Sequence, residues 1–264
     1  LFKVERIRRI KEILTDCKQI DVGTLSGLLS VSDATIRNDF EELEREGFLT
    51  RFHGGATLNA TQTAEELHNP FTGTAIKYDK NKEELGEIAV RLVRDGEWIF
   101  IGPGTTSYYI AKALLSRSGI NVLTNNFLVA SVLSANSSIQ VLFIGGRLNC
   151  AGFYSFPDNI EAELQDVHLD KCFFSVDGVD MDGGYTLSDW SIQELITSIA
   201  AKSEKILFVI DCSKFNKRSF RRIGDLDYPD ILVTNDNIPT EFKTYYLEHR
   251  VCTYTSYDLD SLHL

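Results

Sequence analysis

The sequence predicts an α/β protein in two parts: a small helical unit closed by a β-hairpin, then a larger unit built on a mostly parallel sheet with helices on both faces. Three observations carry that expectation. Residues 1–58 hold three short stretches of helical periodicity followed by two β-prone pieces around Gly54-Gly55. Beyond about residue 76, apolar runs alternate with amphipathic stretches, the pattern of parallel strands joined by helices. A length of 264 residues suits two domains, one small and one large.

In the first part, Ile7, Ile10, Ile13 and Leu14 recur at helical spacing and predict a helix from Val4 to Cys17. Leu25, Leu28 and Leu29 mark a second helix, with Asp21 or Thr24 near its start. After a tight connection at Val31, Ser32 reads as the N-cap of a third helix, Asp33 to Glu46. Ile36, Phe40 and Leu43 form its core stripe, and Gly47 stands where a C-cap glycine belongs. Three short helices with a compact turn between the last two make a helix-turn-helix. Leu49 to Leu58, two short pieces around the glycines, read as its two-stranded wing. In that geometry the start of the third helix enters the major groove of double-stranded DNA. Ser32, Ala34, Thr35, Arg37 and Asn38 are offered there, Arg and Asn being suited to bidentate contacts with guanine and adenine. Asp33 supports the helix start, and Arg51, His53 and Gly54 lie by the sugar-phosphate backbone. The rival reading is an adaptor that uses this unit for protein contact. The polar face of the third helix speaks against it, since a partner-binding helix exposes large apolar anchors.

The formal net charge of -11 argues against nucleic acid for the chain as a whole. Residues 1–58 hold nine Lys and Arg against ten Asp and Glu, so the excess acid lies elsewhere. Arg6, Arg8, Arg9, Lys11, Arg37 and Arg51 can then gather on one face. Five cysteines, odd in number and without a Cys-x-x-Cys pair, read as free thiols, and the five histidines fall in no metal spacing. Neither a metal nor another cofactor is expected. No apolar run approaches the roughly 18 residues that span a bilayer, and no signal-peptide core opens the chain. A cytoplasmic location and no membrane partner follow as expectations.

Residues 59–75 read as an interdomain connection, and residues 76–264 as a ligand-sensing domain. Helices are predicted over Lys80–Arg94 (Leu85, Ile88, Ala89 and Leu92 inward), Thr105–Leu115, Phe127–Leu133, Ile192–Lys202 and Thr240–Leu247. Strands are predicted over Trp98–Ile101, Asn121–Thr124, Gln140–Ile144, Cys172–Val176, Ile206–Ile210, Ile231–Thr234 and Arg250–Thr253. Ligands of such sheets sit beyond the C-terminal ends of the strands. The loops there supply Gly104, Thr105 and Thr106; Thr124 and Asn125; Gly145 and Gly146; Asp177 and Asp180; and Lys214. Glycines allow close approach, helix N-terminal amides and hydroxyls hold an anion, Lys214 neutralises a phosphate, and Asp177, Asp180 and Asn125 take sugar hydroxyls. A dinucleotide is disfavoured, because Ser107 takes the third glycine position and Thr124-Asn125-Asn126 stands where an acid is needed. A P-loop is excluded, since no Gly-Lys-Ser/Thr follows. A small phosphorylated metabolite remains. Asp177, Asp180, Asp182 and Asp211 could serve a sugar-phosphate isomerase, but no base-nucleophile arrangement accompanies them, and no enzyme is predicted.

The run from Ser32 to Glu44, then Gly47-Phe48-Leu49 and Arg51 to Ala56, resembles the DNA-binding domain of DeoR-type repressors. Gly104-Thr105-Thr106, Thr124-Asn125, Gly145-Gly146, Asp177-Gly178-Val179-Asp180 and Ser213-Lys214-Phe215 resemble the sensor domain of the same family, which is similar in fold to ribose-5-phosphate isomerase. The resemblance implies that Thr35, Arg37 and their polar neighbours read an operator. It also implies that the larger domain binds a phosphorylated sugar or a derivative, loses DNA affinity on binding and performs no catalysis. A repressor of a carbohydrate-utilisation operon, working as a homodimer or homotetramer, is the expectation. Several positions depart from the family pattern: Gly102-Pro103 for Asp-Ala, Leu85 for Lys, Phe156-Pro157 for Gly-Pro, and Ile192 and Thr197 for Glu and Lys. With the aromatic cluster Phe153, Tyr154, Phe156 and Trp190, they point to a remodelled, less polar pocket.

Overall fold

A computed structural model describes residues 3–45, 48–52, 54–58, 67–68, 75–76 and 78–255. The chain divides into two compact units, Leu1–His68 with Ala75–Tyr78, and Asn69–Thr74 with Asp79–Leu264.

The first unit begins with α1 (Lys3–Cys17), β1 (Gln19–Asp21), α2 (Val22–Leu29) and α3 (Asp33–Arg45). It continues with β2 (Leu49–Phe52) and β3 (Gly55–Leu58). The apolar stripes of the three helices meet in one core around Leu14, Leu25, Ile36, Phe40 and Leu43. Leu28 is the exception among the residues that mark α2, at 62% exposed. Asp21 caps α2 by accepting from the Thr24 amide at 2.8 Å. Ser30, in the left-handed region at φ 53°, ends it and turns the chain toward α3. The Ser32 hydroxyl accepts from the Thr35 amide at 3.2 Å, the cap expected from sequence. The wing carries a strand that was not expected: β1 pairs antiparallel with β3, giving the sheet order β1-β3-β2. Gly47, expected as the C-cap of α3, lies outside the described residues.

Asp39 lies on the buried stripe of α3 beside Ile36, Phe40 and Leu43, as helical periodicity dictates. Arg6 of α1 answers it with a bidentate pair, Nε to Oδ2 at 2.5 Å and Nη2 to Oδ1 at 3.0 Å. That bond, the largest influence on Arg6, raises its pKa. Arg6 is thus committed to the interior and does not join a basic outer face, a correction to the sequence expectation.

In the predicted connection and just past its end, β4 (Leu67–His68) and β5 (Ala75–Ile76) form a short antiparallel pair. The second unit then runs α4 (Lys80–Arg91), β6 (Trp98–Ile101), α5 (Thr105–Leu114), β7 (Asn121–Thr124), α6 (Phe127–Leu133) and β8 (Gln140–Phe143). Next come β9 (Arg147–Asn149), β10 (Tyr154–Phe156), α7 (Ile160–Glu163), β11 (Leu169–Phe174), β12 (Gly178–Asp180) and β13 (Gly184–Leu187). The unit closes with α8 (Ser191–Ala200), β14 (Ser203–Ile210), β15 (Arg221–Gly224), β16 (Ile231–Thr234), α9 (Thr240–Glu248) and β17 (Cys252–Tyr254).

Seven strands form one all-parallel sheet in the order β17-β16-β14-β11-β6-β7-β8. Its central strands carry apolar runs at residues 99–101, 172–174 and 206–210 because both faces are covered there, whereas the edge strand β8 is largely exposed. Phe100, Phe174 and Phe208 point to the face packed by α7, α8 and α9. Ile99, Ile101, Phe173, Leu207 and Val209 point to the face packed by α4, α5 and α6. Each such fully buried side chain contributes about 1.5–3 kcal/mol. Gly86 lets α4 press onto α5, since a Cβ there would come within 2.5 Å of the Tyr109 carbonyl oxygen. Two antiparallel pieces unmarked in the sequence, the β9-β10 hairpin and the sheet β12-β13-β15, stand apart from the main sheet. The strand expected over Cys172–Val176 instead occupies Leu169–Phe174, which leaves Ser175, Val176 and Asp177 to the following turn.

Replacing Asp39 by Ala removes the buried carboxylate of its bidentate pair with Arg6. The change is expected to destabilise the first unit by about 3 kcal/mol, seen as a lower urea midpoint in far-UV circular dichroism. Leu28→Ala, on the surface of the same unit, is expected to stay within about 0.5 kcal/mol of the parent.

Candidate functional site

Two regions gather the sequence-predicted residues, one in each unit. In the first unit, Ser32, Ala34, Arg37 and Asn38 are exposed at the start of α3 and Thr35 is half-buried. The Ser32 and Thr35 hydroxyls lie 2.9 Å apart. Arg37 forms no ion pair among the described residues, so its fork of donors is available. Arg51 is differently placed: its Nε meets Glu44 at 2.8 Å and its Nη1 meets Glu41 at 2.9 Å. The bonds from Glu44, then Glu41, hold its pKa above the usual arginine value. Arg51 thereby braces β2 against α3. Gly54 turns the wing at φ 94°, and its carbonyl accepts from the Val22 amide at 2.9 Å, which ties the wing to the start of α2. His53 lies outside the described residues.

In the second unit a cavity of about 370 Å³ opens beyond the C-terminal ends of β6 and β11. This is where the strand order reverses: from β6 the chain passes to β7 and β8 on one side, then returns to β11 on the other. Connections that diverge leave a crevice at such a point. One wall is the Pro103-Gly104-Thr105-Thr106 turn and the first turn of α5. Gly104 precedes that helix at φ 111° with no side chain capping it, so the amides at its N-terminus keep their donors. Lys82, at the start of α4, donates to Thr105 Oγ1 at 3.2 Å. Its position is set from behind, where Asn235 of the β16 end donates to the Asn81 carbonyl at 3.2 Å. Lys214 lines the cavity from the turn after β14 and has no ion pair among the described residues. Asp177, after β11, accepts from the Ser188 amide at 2.8 Å and from its hydroxyl. The remaining wall includes Asn149, Gly152 and Tyr154 of the β9-β10 hairpin, with Asp189 and Ile192.

Asp189 accepts from the Tyr154 hydroxyl, from Asn149 Nδ2 at 3.4 Å, and from the Ser191 amide and hydroxyl at 3.0 and 2.7 Å. Burial acts against its ionised form, but these bonds outweigh burial and lower its pKa. Burial and the bond to Asp189 together raise that of Tyr154.

Of the ten residues expected to bind an effector, Gly104, Thr105, Thr106, Asp177 and Lys214 line this cavity. The other five do not, and each has a structural reason. Thr124 is fully buried and donates to the Ile101 carbonyl at 2.7 Å. Asn125, also buried, donates to the Ser155 carbonyl at 2.8 Å. Gly145 and Gly146 are exposed after β8, where Gly146, at φ 126°, has no room for a side chain against the backbone of Phe156. Asp180 pairs with Arg218 and accepts from the Gly183 amide at 2.7 Å, holding its own turn. Thr124 still serves the site from behind. Its hydroxyl accepts from the Asn126 amide at 3.0 Å, and Asn126 Nδ2 donates to the Gly104 carbonyl at 3.2 Å.

The expected loss of polarity is corrected only in part, since Ile192, read as replacing a glutamate, does line the cavity. Leu85, read as replacing a lysine, is fully buried in the core beneath α4, and the lysine that faces the cavity is Lys82, three residues earlier. Thr197 is exposed and bonds the Gln193 carbonyl of its own helix. Of the aromatic cluster only Tyr154 reaches the cavity; Phe153 packs on Phe127, and Trp190 is 67% exposed. Sequence reasoning missed Lys82, Asn149 and Asp189. A lysine three residues after the helix cap Asp79 was the signal available for the first. Among the described residues, no group of three or more His, Cys, Asp or Glu could hold a metal, and no helix is long and apolar enough to cross a membrane.

Residues 6–62 match the family model of the DeoR-like helix-turn-helix domain, and residues 77–236 that of the DeoR C-terminal sensor domain. The chain is 31% identical to the HTH-type transcriptional regulator GolR of Listeria innocua, over 90% of this chain and 92% of that one. It is 24% identical to the glycerol-3-phosphate regulon repressor of Escherichia coli, over 94% of this chain and 97% of that one. Among solved structures it is similar to ribose 5 phosphate isomerase A from Neisseria gonorrhoeae, with a TM-score of 0.39 and 19% identity, covering 52% of this chain and 53% of that one.

Because the folded pKa of Asp189 is depressed, its contribution to stability is present above the unfolded value of about 4 and is lost as pH falls through the folded value. The stability difference between the parent protein and Asp189→Asn is therefore expected to shrink as pH is lowered from about 6 to about 3, measured by urea unfolding at each pH.

Proposed function

The chain belongs to the DeoR family of transcriptional regulators, and from that premise we propose that it represses a carbohydrate-utilisation operon and leaves its double-stranded DNA operator when a phosphorylated sugar or related metabolite fills the cavity. Residues 1–58 read the operator, residues 59–75 connect, and residues 76–264 sense. Ser32, Ala34, Thr35, Arg37 and Asn38 meet the base edges, and the wing, with Gly54 at its turn, lies along the backbone. Arg51 holds the wing on α3 instead of acting as a free charge.

The observation that carries the effector reading is the make-up of the cavity wall at the β6 and β11 ends. Uncapped amides of α5, the Thr105 and Thr106 hydroxyls, Lys82 and Lys214 together suit a phosphate ester. Asp177, Asn149 and Asp189 offer acceptors and donors for the hydroxyls of its carbon chain. The name of the glycerol-3-phosphate regulon repressor supports the same ligand class. The ligand is bound and released unchanged. Repression uses two copies or more of the chain, with recognition helices on half-sites a whole number of helical turns apart. Release requires that the effector bind the DNA-incompetent arrangement more tightly than the competent one. This is work for the cytoplasm, where operator and metabolite meet.

Arg37→Ala is expected to weaken operator binding about ten- to hundredfold, by loss of a base contact, while effector affinity stays within about twofold. Lys214→Ala is expected to do the reverse. Fluorescence anisotropy on an operator duplex and thermal shift against sugar phosphates read the two activities separately; a saturating ligand at about 100 times its Kd adds roughly 2.7 kcal/mol of stability. Equal damage to both activities from both substitutions would remove the division of labour.

A further inference from the structure

The charges that line the cavity are of two kinds. Lys82 and Lys214 are cations, Lys82 also pairing with the helix-cap carboxylate of Asp79 at 3.3 Å, and the α5 N-terminus adds partial positive charge. Asp177 and Asp189 are the anions, and among the described residues neither forms a salt bridge. Their partners are neutral: Ser188 for Asp177, and Tyr154, Asn149 and Ser191 for Asp189. Hydrogen bonds from neutral donors keep a carboxylate ionised without cancelling its charge. The lowered pKa of Asp189, to which those bonds contribute against burial, agrees with that state. Asp180, in contrast, is matched by Arg218 and lies outside the cavity wall.

A phosphate monoester carries a charge of about -1.5 to -2, which Lys214, Lys82 (shared with Asp79) and the α5 amides take up between them. A second anionic group would find no cation left over and would share a half-enclosed space with two uncompensated carboxylates. Hydroxyl groups meet the opposite reception, because they donate to Asp177 Oδ1, which carries neither of the Ser188 bonds, and exchange with the neutral donors that already surround Asp189. We infer that the cavity admits monophosphate esters of neutral sugars or polyols and excludes ligands with a second anionic group, and that Asp177 and Asp189 impose this exclusion. The inference rests on the reading of this cavity as a phosphate-ester site.

Isothermal titration of the full chain tests it with matched probes. The pairs are glucose 6-phosphate with 6-phosphogluconate, fructose 6-phosphate with fructose 1,6-bisphosphate, and glycerol 3-phosphate with 3-phosphoglycerate. Inorganic phosphate serves as a reference. In each pair that binds, the monophosphate ester without the second anionic group is expected to bind at least about tenfold more tightly, and Asp177→Asn and Asp189→Asn are each expected to close that gap by about tenfold. The two variants act independently, so failure of one to fold leaves the other as the test. A doubly anionic probe that binds the parent protein as tightly as its partner, or a gap that neither Asn variant narrows, overturns the inference while leaving the phosphate reading intact. Silence from every ester and from inorganic phosphate overturns the phosphate reading itself, and this inference with it.

Discussion

Burial of the parallel sheet on both faces is the constraint from which the second unit follows. Side chains alternate along β6, β11 and β14, so Phe100, Phe174 and Phe208 fill one side and branched aliphatics with Phe173 the other. Neither layer has space for charge. Polar chemistry is therefore driven to the strand ends, where the backbone leaves the ladder. At most ends the connections run side by side and close the gap. Between β6 and β11 they part, because the chain has built outward in one direction and then in the other. The cavity sits there for a topological reason, and the residues around it were free to become polar.

The first unit shows a similar allocation at smaller scale. Among the described residues its core has one carboxylate, Asp39, and Arg6 is drawn inward to satisfy it. Arg51 is drawn onto Glu41 and Glu44. A count of basic residues in this unit therefore overstates the charge available to a polyanion. What remains at the head of α3 is a small polar set with Arg37 at its centre, suited to reading bases more than to holding phosphates by bulk charge.

The long elements were legible because each announces itself by repetition. Apolar runs placed the seven main strands within a few residues, and the Ile36, Phe40, Leu43 stripe placed α3. Strands β1, β9, β10, β12, β13 and β15 were not legible. At three or four residues they match β6, β7, β8, β16 and β17 in length, but they lack a place in the alternation of apolar runs and helices, and what makes them strands is a partner elsewhere in the chain. The site was half legible for a related reason. Polar residues at a strand end can face the crevice or the loop behind it, and sequence alone does not say which. Gly104, Thr105, Thr106, Asp177 and Lys214 face forward, while Thr124 and Asn125 face back. Helical periodicity did hold the answer for α4: Leu85 belongs to the inward stripe, so the cavity lysine had to be sought a turn nearer the helix start, at Lys82.

The backing of the Gly102–Gly104 turn by Thr124 and Asn126 has a consequence for genetics. Both side chains are buried and neither lines the cavity, yet the turn that begins α5 hangs from them. Alleles deaf to the inducing metabolite would then fall into two phenotypic classes. Changes at Lys214, a lining residue without an ion pair among the described residues, would abolish the response in a protein as heat-resistant as its parent. Changes at Thr124 or Asn126 would abolish it through a slackened loop and bring a temperature-sensitive phenotype, although no atom of either residue touches the inducer.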